Sequence, residues 1–166
     1  MTSLEKFENN PQDQLMEQIE DARCVMLGST NPDDHMQPMT PQIDDDENEH
    51  VIYFYSDKTS DLGARIMMQP GTVKMCHIGK DYQAYVEGKL SVHRNPATVD
   101  KFWNPIVAAW YPDGKTDPKL LMLKFEPEKA HVWASDKSSI GFAYEIAKAN
   151  LTDELPDIGK SKKIAM

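Results

Sequence analysis

At 166 residues, 40% hydrophobic and 27% charged, the chain has the size and composition of one soluble globular domain. Its net charge of −9 argues against nucleic acid or an anionic membrane as partner, since both need a continuous basic surface, but it does not exclude a small phosphorylated ligand. No apolar run approaches the roughly 20 residues of a membrane helix; the start Met1–Glu5 has no basic-then-apolar leader, and two cysteines, Cys24 and Cys76, are too few for a disulfide framework, so the expected location is cytoplasmic.

Residues 1–10 read as a flexible N-terminus, 11–152 as one domain and 153–166, with Lys160, Lys162 and Lys163, as a loose tail. Asn10-Pro11 opens a helix whose Leu15 and Ile19 share one face. Arg23 to Ser29 reads as a short buried strand and Asn31-Pro32-Asp33-Asp34 as a turn. His35 to Ile43 reads as a strand interrupted by Pro38 and Pro41, which places it at an edge or a bulge. The acidic run Asp44 to Glu49 reads as a solvated turn, since it lacks the spacing and central glycine of a calcium loop. Val51 to Ser56 is the strongest strand.

Thr59 or Ser60 is placed to cap a helix over Leu62–Gln69, ended by Pro70-Gly71, and Thr72 to Ile78 resumes as strand. Tyr82 to Val92 alternates with a period of two, the pattern of a sheet with unlike faces. A helix from Pro96 puts Phe102, Ile106 and Trp110 on one face, with Pro105 kinking or splitting it. Leu120–Phe125 and Ala130–Ala134 read as two consecutive paired strands, and Ser138 or Ser139 as the cap of a last helix to about Ala149. About seven strands and about four helices without βαβ alternation make this a mainly β (α+β) chain, an antiparallel barrel with peripheral helices.

No Gly-rich phosphate loop and no nucleophile elbow is present. The histidines His35, His50, His77, His93 and His131 show no metal-binding spacing, so no metal site is expected. No catalytic acid or base can be named; His77 and Tyr85 are candidates that also read as ordinary sheet residues.

Four segments together resemble the general stress protein branch of the pyridoxamine 5'-phosphate oxidase-like, FMN-binding split barrels. They are the first helix with Ala22-Arg23-Cys24-Val25-Met26-Leu27, then Gln37-Pro38-Met39-Thr40, then Ile52-Tyr53-Phe54-Tyr55-Ser56 with Ser60, and last Phe102-Trp103-Asn104-Pro105 with Ala109-Trp110-Tyr111-Pro112-Asp113-Gly114, Pro118 to Phe125 and Trp133. The resemblance implies a Greek-key split β-barrel that pairs as a homodimer with flavin at the interface, FMN foremost and FAD as the alternative. It implies Met39 and Thr40 beside the ring and ribityl chain, Phe54, Tyr55 and Ser56 at the ring edge and ribityl or phosphate, and Trp110 as an aromatic neighbour from the partner subunit. Two positions where the family commonly carries positive charge hold Gln37 and Leu62, which leaves Ser56 and Ser60 hydroxyls, with Lys58 and Arg65, as the possible phosphate partners. The implied activity is an oxidoreductase drawing on a reduced nicotinamide or flavin; the alternatives are a non-catalytic flavin-binding or stress-response dimer, or an interaction module without flavin.

Overall fold

The computed structural model describes residues 3–44, 50–135, 139–152 and 154–166. The chain begins with helices α1 (Ser3–Asn9) and α2 (Pro11–Glu20), followed by strands β1 (Val25–Ser29), β2 (Gln37–Met39), β3 (Gln42–Ile43) and β4 (Ile52–Asp57). Helix α3 (Asp61–Met68) leads into β5 (Gly71–Ile78) and β6 (Tyr82–Val92). Two short helices, α4 (Pro96–Phe102) and α5 (Pro105–Ala108), precede the long strand β7 (Leu120–Ala134), and α6 (Ser139–Thr152) and β8 (Lys160–Ala165) close the chain. Among the described residues no helix is long and apolar enough to cross a membrane.

All strand pairs are antiparallel, in the order β2-β1-β5-β6-β7-β4-β3, with β8 added to β7. The two ends of that order, β2 and β3, are joined only by Thr40-Pro41. Laid flat, six steps of about 4.8 Å would put them about 29 Å apart. Met39 and Gln42 are three residues apart and cannot be separated by more than about 11 Å. The sheet must therefore curl until its margins nearly meet, which makes it a split barrel. Pro41 sits at the seam, where no ladder hydrogen bond is asked of it.

The barrel is filled by the inward set of each strand: Leu27, Phe54, Val73, Met75, Val86, Leu90, Leu123, Phe125 and Val132, all sealed from solvent. Leu15 and Ile19 of α2 and Ile66 of α3 pack against the same core, as the period of each helix requires. Ser60 is the residue that caps α3, its Oγ accepting the Gly63 N–H at 3.0 Å.

Four expectations change. The segments Leu120–Phe125 and Ala130–Ala134 do not pair with each other; they are the two halves of one strand, β7, which lies along β6 from Leu123 to Ala134, with β4 beside its first half and β8 beside its second. The proline between them is accommodated by a bulge, where Glu87 faces Lys129 but Gly88 faces Pro127, leaving Glu128 as the extra residue. Gly88 is required there, because a Cβ would fall 2.2 Å from the Glu126 carbonyl oxygen.

The C-terminal segment is not a loose tail. Lys160–Ala165 pairs with β7, Ile164 is buried, and Lys160 and Lys162 reach the Glu8 carboxylate at 2.7 Å and the Glu8 carbonyl at 2.9 Å. The lysines thus face the carbonyl end of α1, where a helix favours cations, and Lys160 holds the Glu8 carboxyl below its ordinary pKa. The same contact orders residues 3–9, expected to be flexible, and Phe7 is almost wholly buried.

Pro105 splits rather than kinks its helix, and the common face fails: Phe102 packs beside Tyr53 while Ile106 and Trp110 are exposed. The acidic residues 45–49 and Ser138 lie outside the described residues. Asp44 is described and pairs with Lys101.

Candidate functional site

Strand β4 has two faces. Its even residues Ile52 and Phe54 enter the barrel, whereas Tyr53 and Tyr55 point outward into a second, smaller layer with Met122, Val99 and Phe102. Tyr55, Trp103 and Tyr111 form a triangle of rings with centroids 6.1 to 6.4 Å apart. The two phenols are satisfied: the Tyr55 hydroxyl donates to the Val99 carbonyl at 2.6 Å, and that of Tyr111 to the Ser56 carbonyl at 2.8 Å. These bonds fasten α4 and the segment after α5 onto β4.

Between this layer and β2 lies a groove of about 510 Å³. One wall is Gln37, Pro38, Met39 and Thr40 at the barrel seam, with Gln42 below. The floor is Tyr55, Ser56 and Asp57, ending at Ser60, and the opposite wall is Asn104, Ile106, Val107, Trp110 and Tyr111. Asn104 holds that wall in place, its Oδ1 accepting the N–H groups of Ile106 and Val107 at 2.9 and 3.0 Å to cap α5. Along the seam wall the Gln37 amide donates to the Met39 sulfur at 3.3 Å. Ile106 and Trp110 stand at the rim, 77% and 78% exposed.

The charge in the groove is simple. Burial, with Asp100 and the neighbouring phenol adding to it, pushes the Tyr55 hydroxyl up to about 12; burial, with Asp57 and Asp117, does the same to Tyr111. Both phenols are neutral at physiological pH. Asp57 is the reverse, its carboxyl held below the usual range by the Thr59 hydroxyl and N–H, both 2.6 Å from Oδ1. It is ionised.

Seven residues singled out from sequence line this groove: Gln37, Met39, Thr40, Tyr55, Ser56, Ser60 and Trp110. Two do not. Phe54 is 0% exposed in the barrel core, placed there by strand parity. Lys58 lies outside the groove with its ammonium donating to the Pro118 carbonyl at 2.9 Å, and Arg65 is likewise engaged, with Asp34 at 2.8 Å. The sequence reading missed Asp57, Asn104 and Tyr111 as wall and floor residues. Asn104-Pro105 carried a helix-start signal that could have placed α5, whereas nothing local distinguishes Asp57 from a surface carboxylate.

The two acid–base candidates are elsewhere. His77 is buried at the barrel end, 6.3 Å from the Tyr82 ring, and burial lowers its pKa. Tyr85 is on the outer sheet face and donates to Glu87 at 2.8 Å; burial and Glu87 raise it to about 12. Among the described residues no group of three or more His, Cys, Asp or Glu side chains is placed to hold a metal ion, and Cys24 and Cys76 are free thiols.

The fit of a flavin to these residues divides. The apolar surfaces of Met39, Val107, Trp110 and Tyr111 suit a flat ring system, and the Gln37, Gln42 and Asn104 amides suit a polyhydroxyl chain. A dianionic phosphate meets no cation among the residues lining the groove.

Comparison with known proteins gives the same frame. The structure matches one described as general stress protein 26 from Jannaschia sp. CCS1, with a TM-score of 0.77 and 31% identity over 91% of this chain and 95% of that one. A protein of Xanthomonas citri described as a general stress FMN/FAD binding protein matches with a TM-score of 0.69 and 37% identity over 76% of this chain and 90% of that one. General stress protein 26 of Bacillus subtilis (strain 168) is 43% identical over 47 residues, a match spanning 27% of this chain and only 33% of that relative's length. Residues 10–157 match the model of the family described as "Pyridoxamine 5'-phosphate oxidase like", and the chain belongs to that family.

Proposed function

We propose that this protein is a flavin-binding protein of the general stress type, acting as a homodimer that holds its flavin in the groove between Met39, Tyr55 and Trp110. The observation that carries the reading is the convergence of seven residues, drawn from separate parts of the chain, on one groove with a flat apolar wall. The family and the relative described as binding FMN or FAD support it. The homodimer is supported by the apolar side chains left in water: Ile106 and Trp110 at the groove rim, and Ile140, Phe142, Tyr144 and Leu151 along α6.

The activity proposed for the dimer is electron transfer from a reduced nicotinamide or flavin to an acceptor. Bound flavin supplies the redox chemistry, and the protein supplies its position and the access to it. One observation favours the second reading, a flavin-binding protein without turnover. The ionisable groups in the groove are two phenols raised to about 12 and one carboxylate lowered from its usual range, so none is poised to exchange a proton near neutral pH.

The test is a visible spectrum of the purified protein with and without added flavin, a gel-filtration size, and the rate of reduced-nicotinamide oxidation by the loaded protein. A flavin spectrum with dimer size and steady turnover is the expected result. Bound flavin without turnover selects the second reading, and a monomer that takes up no flavin removes both.

A further inference from the structure

We infer that the groove does not engage a flavin phosphate: it recognises the ring and the polyhydroxyl chain alone, so uncharged riboflavin binds as readily as FMN. This rests on the flavin reading above and deepens it.

Four observations bear on the phosphate. Among the described residues that line the groove there is no lysine, arginine or histidine, and the one charged group is the ionised Asp57. The neighbouring cations are outside it and engaged, Lys58 with the Pro118 carbonyl and Arg65 with Asp34. The start of α3, the helix nearest the groove floor, could offer backbone N–H groups to an anion. One of these groups is taken, the Gly63 N–H by Ser60 Oγ, which itself donates to the Asp57 carbonyl at 2.8 Å, and Asp61 puts a carboxylate in the first turn, which disfavours an anion there. Finally, the net charge of −9 sets a repulsive background for a dianion.

For a neutral ligand the same lining is favourable. Gln37, Gln42 and Asn104 offer amide groups to hydroxyls, and an open apolar rim at Ile106 and Trp110 admits a ring without asking for charge. Phosphate recognition elsewhere rests on cations as well as neutral donors, and this lining offers a phosphate only neutral hydroxyls and amides.

The test is a flavin-fluorescence titration of the purified, flavin-free protein with riboflavin and with FMN, at low and high salt. Dissociation constants within about threefold of each other are expected. Salt should leave FMN affinity unchanged or improve it, because it screens repulsion from Asp57. FMN bound more than about threefold tighter than riboflavin, or an FMN affinity that falls with salt, would overturn the inference and leave the flavin reading intact. Failure of both ligands to bind would remove the flavin reading and this inference with it.

Two variants sharpen the result. Asp57→Asn should tighten FMN relative to riboflavin. Because the Asp57 carboxylate also orders Thr59, Gln37→Arg is the companion: an introduced cation on the seam should raise FMN affinity relative to riboflavin by about tenfold, whatever the lost amide costs both. An equal change for both ligands in that variant would place the phosphate against other residues and count against the inference.

Discussion

The two sides of β4 are held by different physics. Inside the barrel, Ile52 and Phe54 carry no polar atom and sit in a core of aliphatic and aromatic side chains, where volume chiefly decides what fits. Outside, Tyr53 and Tyr55 belong to a thinner layer in which rings touch at their edges and Tyr55 and Tyr111 are tied by hydroxyl bonds to backbone carbonyls. A core held by volume resists any change of shape. A layer held by a few directed bonds can leave a groove beside itself, and the groove is on that side.

Breaking the inner side should have the largest effect. Phe54→Ala removes a fully buried ring and is expected to cost about 3–5 kcal/mol of stability in chemical denaturation; a loss near zero would mean that the ring is not core. Next comes the rim. Trp110→Ala should leave the unfolding midpoint unchanged, since the ring is exposed, while weakening flavin binding by about tenfold and more than it weakens the dimer. Equal flavin affinity for wild type and variant would remove Trp110 from the site.

Tyr111→Phe tests the fastening of the outer layer. It deletes one hydroxyl bond to the Ser56 carbonyl and is expected to cost about 0.5–1.5 kcal/mol. If denaturation midpoints coincide, the bond contributes nothing to the wall.

The smallest effect concerns pH and returns to the barrel interior. Burial lowers the His77 pKa below its ordinary 6.5, so the folded chain binds fewer protons than the unfolded chain as acid is added. The stability tied to a neutral His77 is complete above about pH 6.5 and declines as pH falls from there toward the lowered folded value. Wild type should therefore lose more stability on acidification than His77→Leu, measured by denaturation at pH 7.5 and 5.5; parallel curves for the two would show that His77 is not buried in its neutral form.

What could be read from the residues divides along the same line. Period-two alternation in Tyr82–Val92 is local, and that strand appears with the bounds expected of it. The even–odd parity of β4 is equally legible, and it sends the Phe54 side chain inward with Ile52, leaving only the backbone of that residue for a ligand. Continuity through Pro127 was not legible, because a proline between two apolar runs reads as a break unless the opposite strand supplies a glycine, and Gly88 is 39 positions away. The terminal strand was hidden for a similar reason. Lys160 and Lys162 look like solvated charges until the end of α1, more than 150 residues earlier, is placed beside them.

The step of Thr40 and Pro41 from one sheet margin to the other has a mechanical consequence. It works as a caliper: the number of residues in the link limits how far the seam can open, and Met39 and Gln42, the jaws of that caliper, both face the groove. The width available to a ligand is thus written into the count of two residues, and lengthening that link would loosen the groove without altering a single side chain in it.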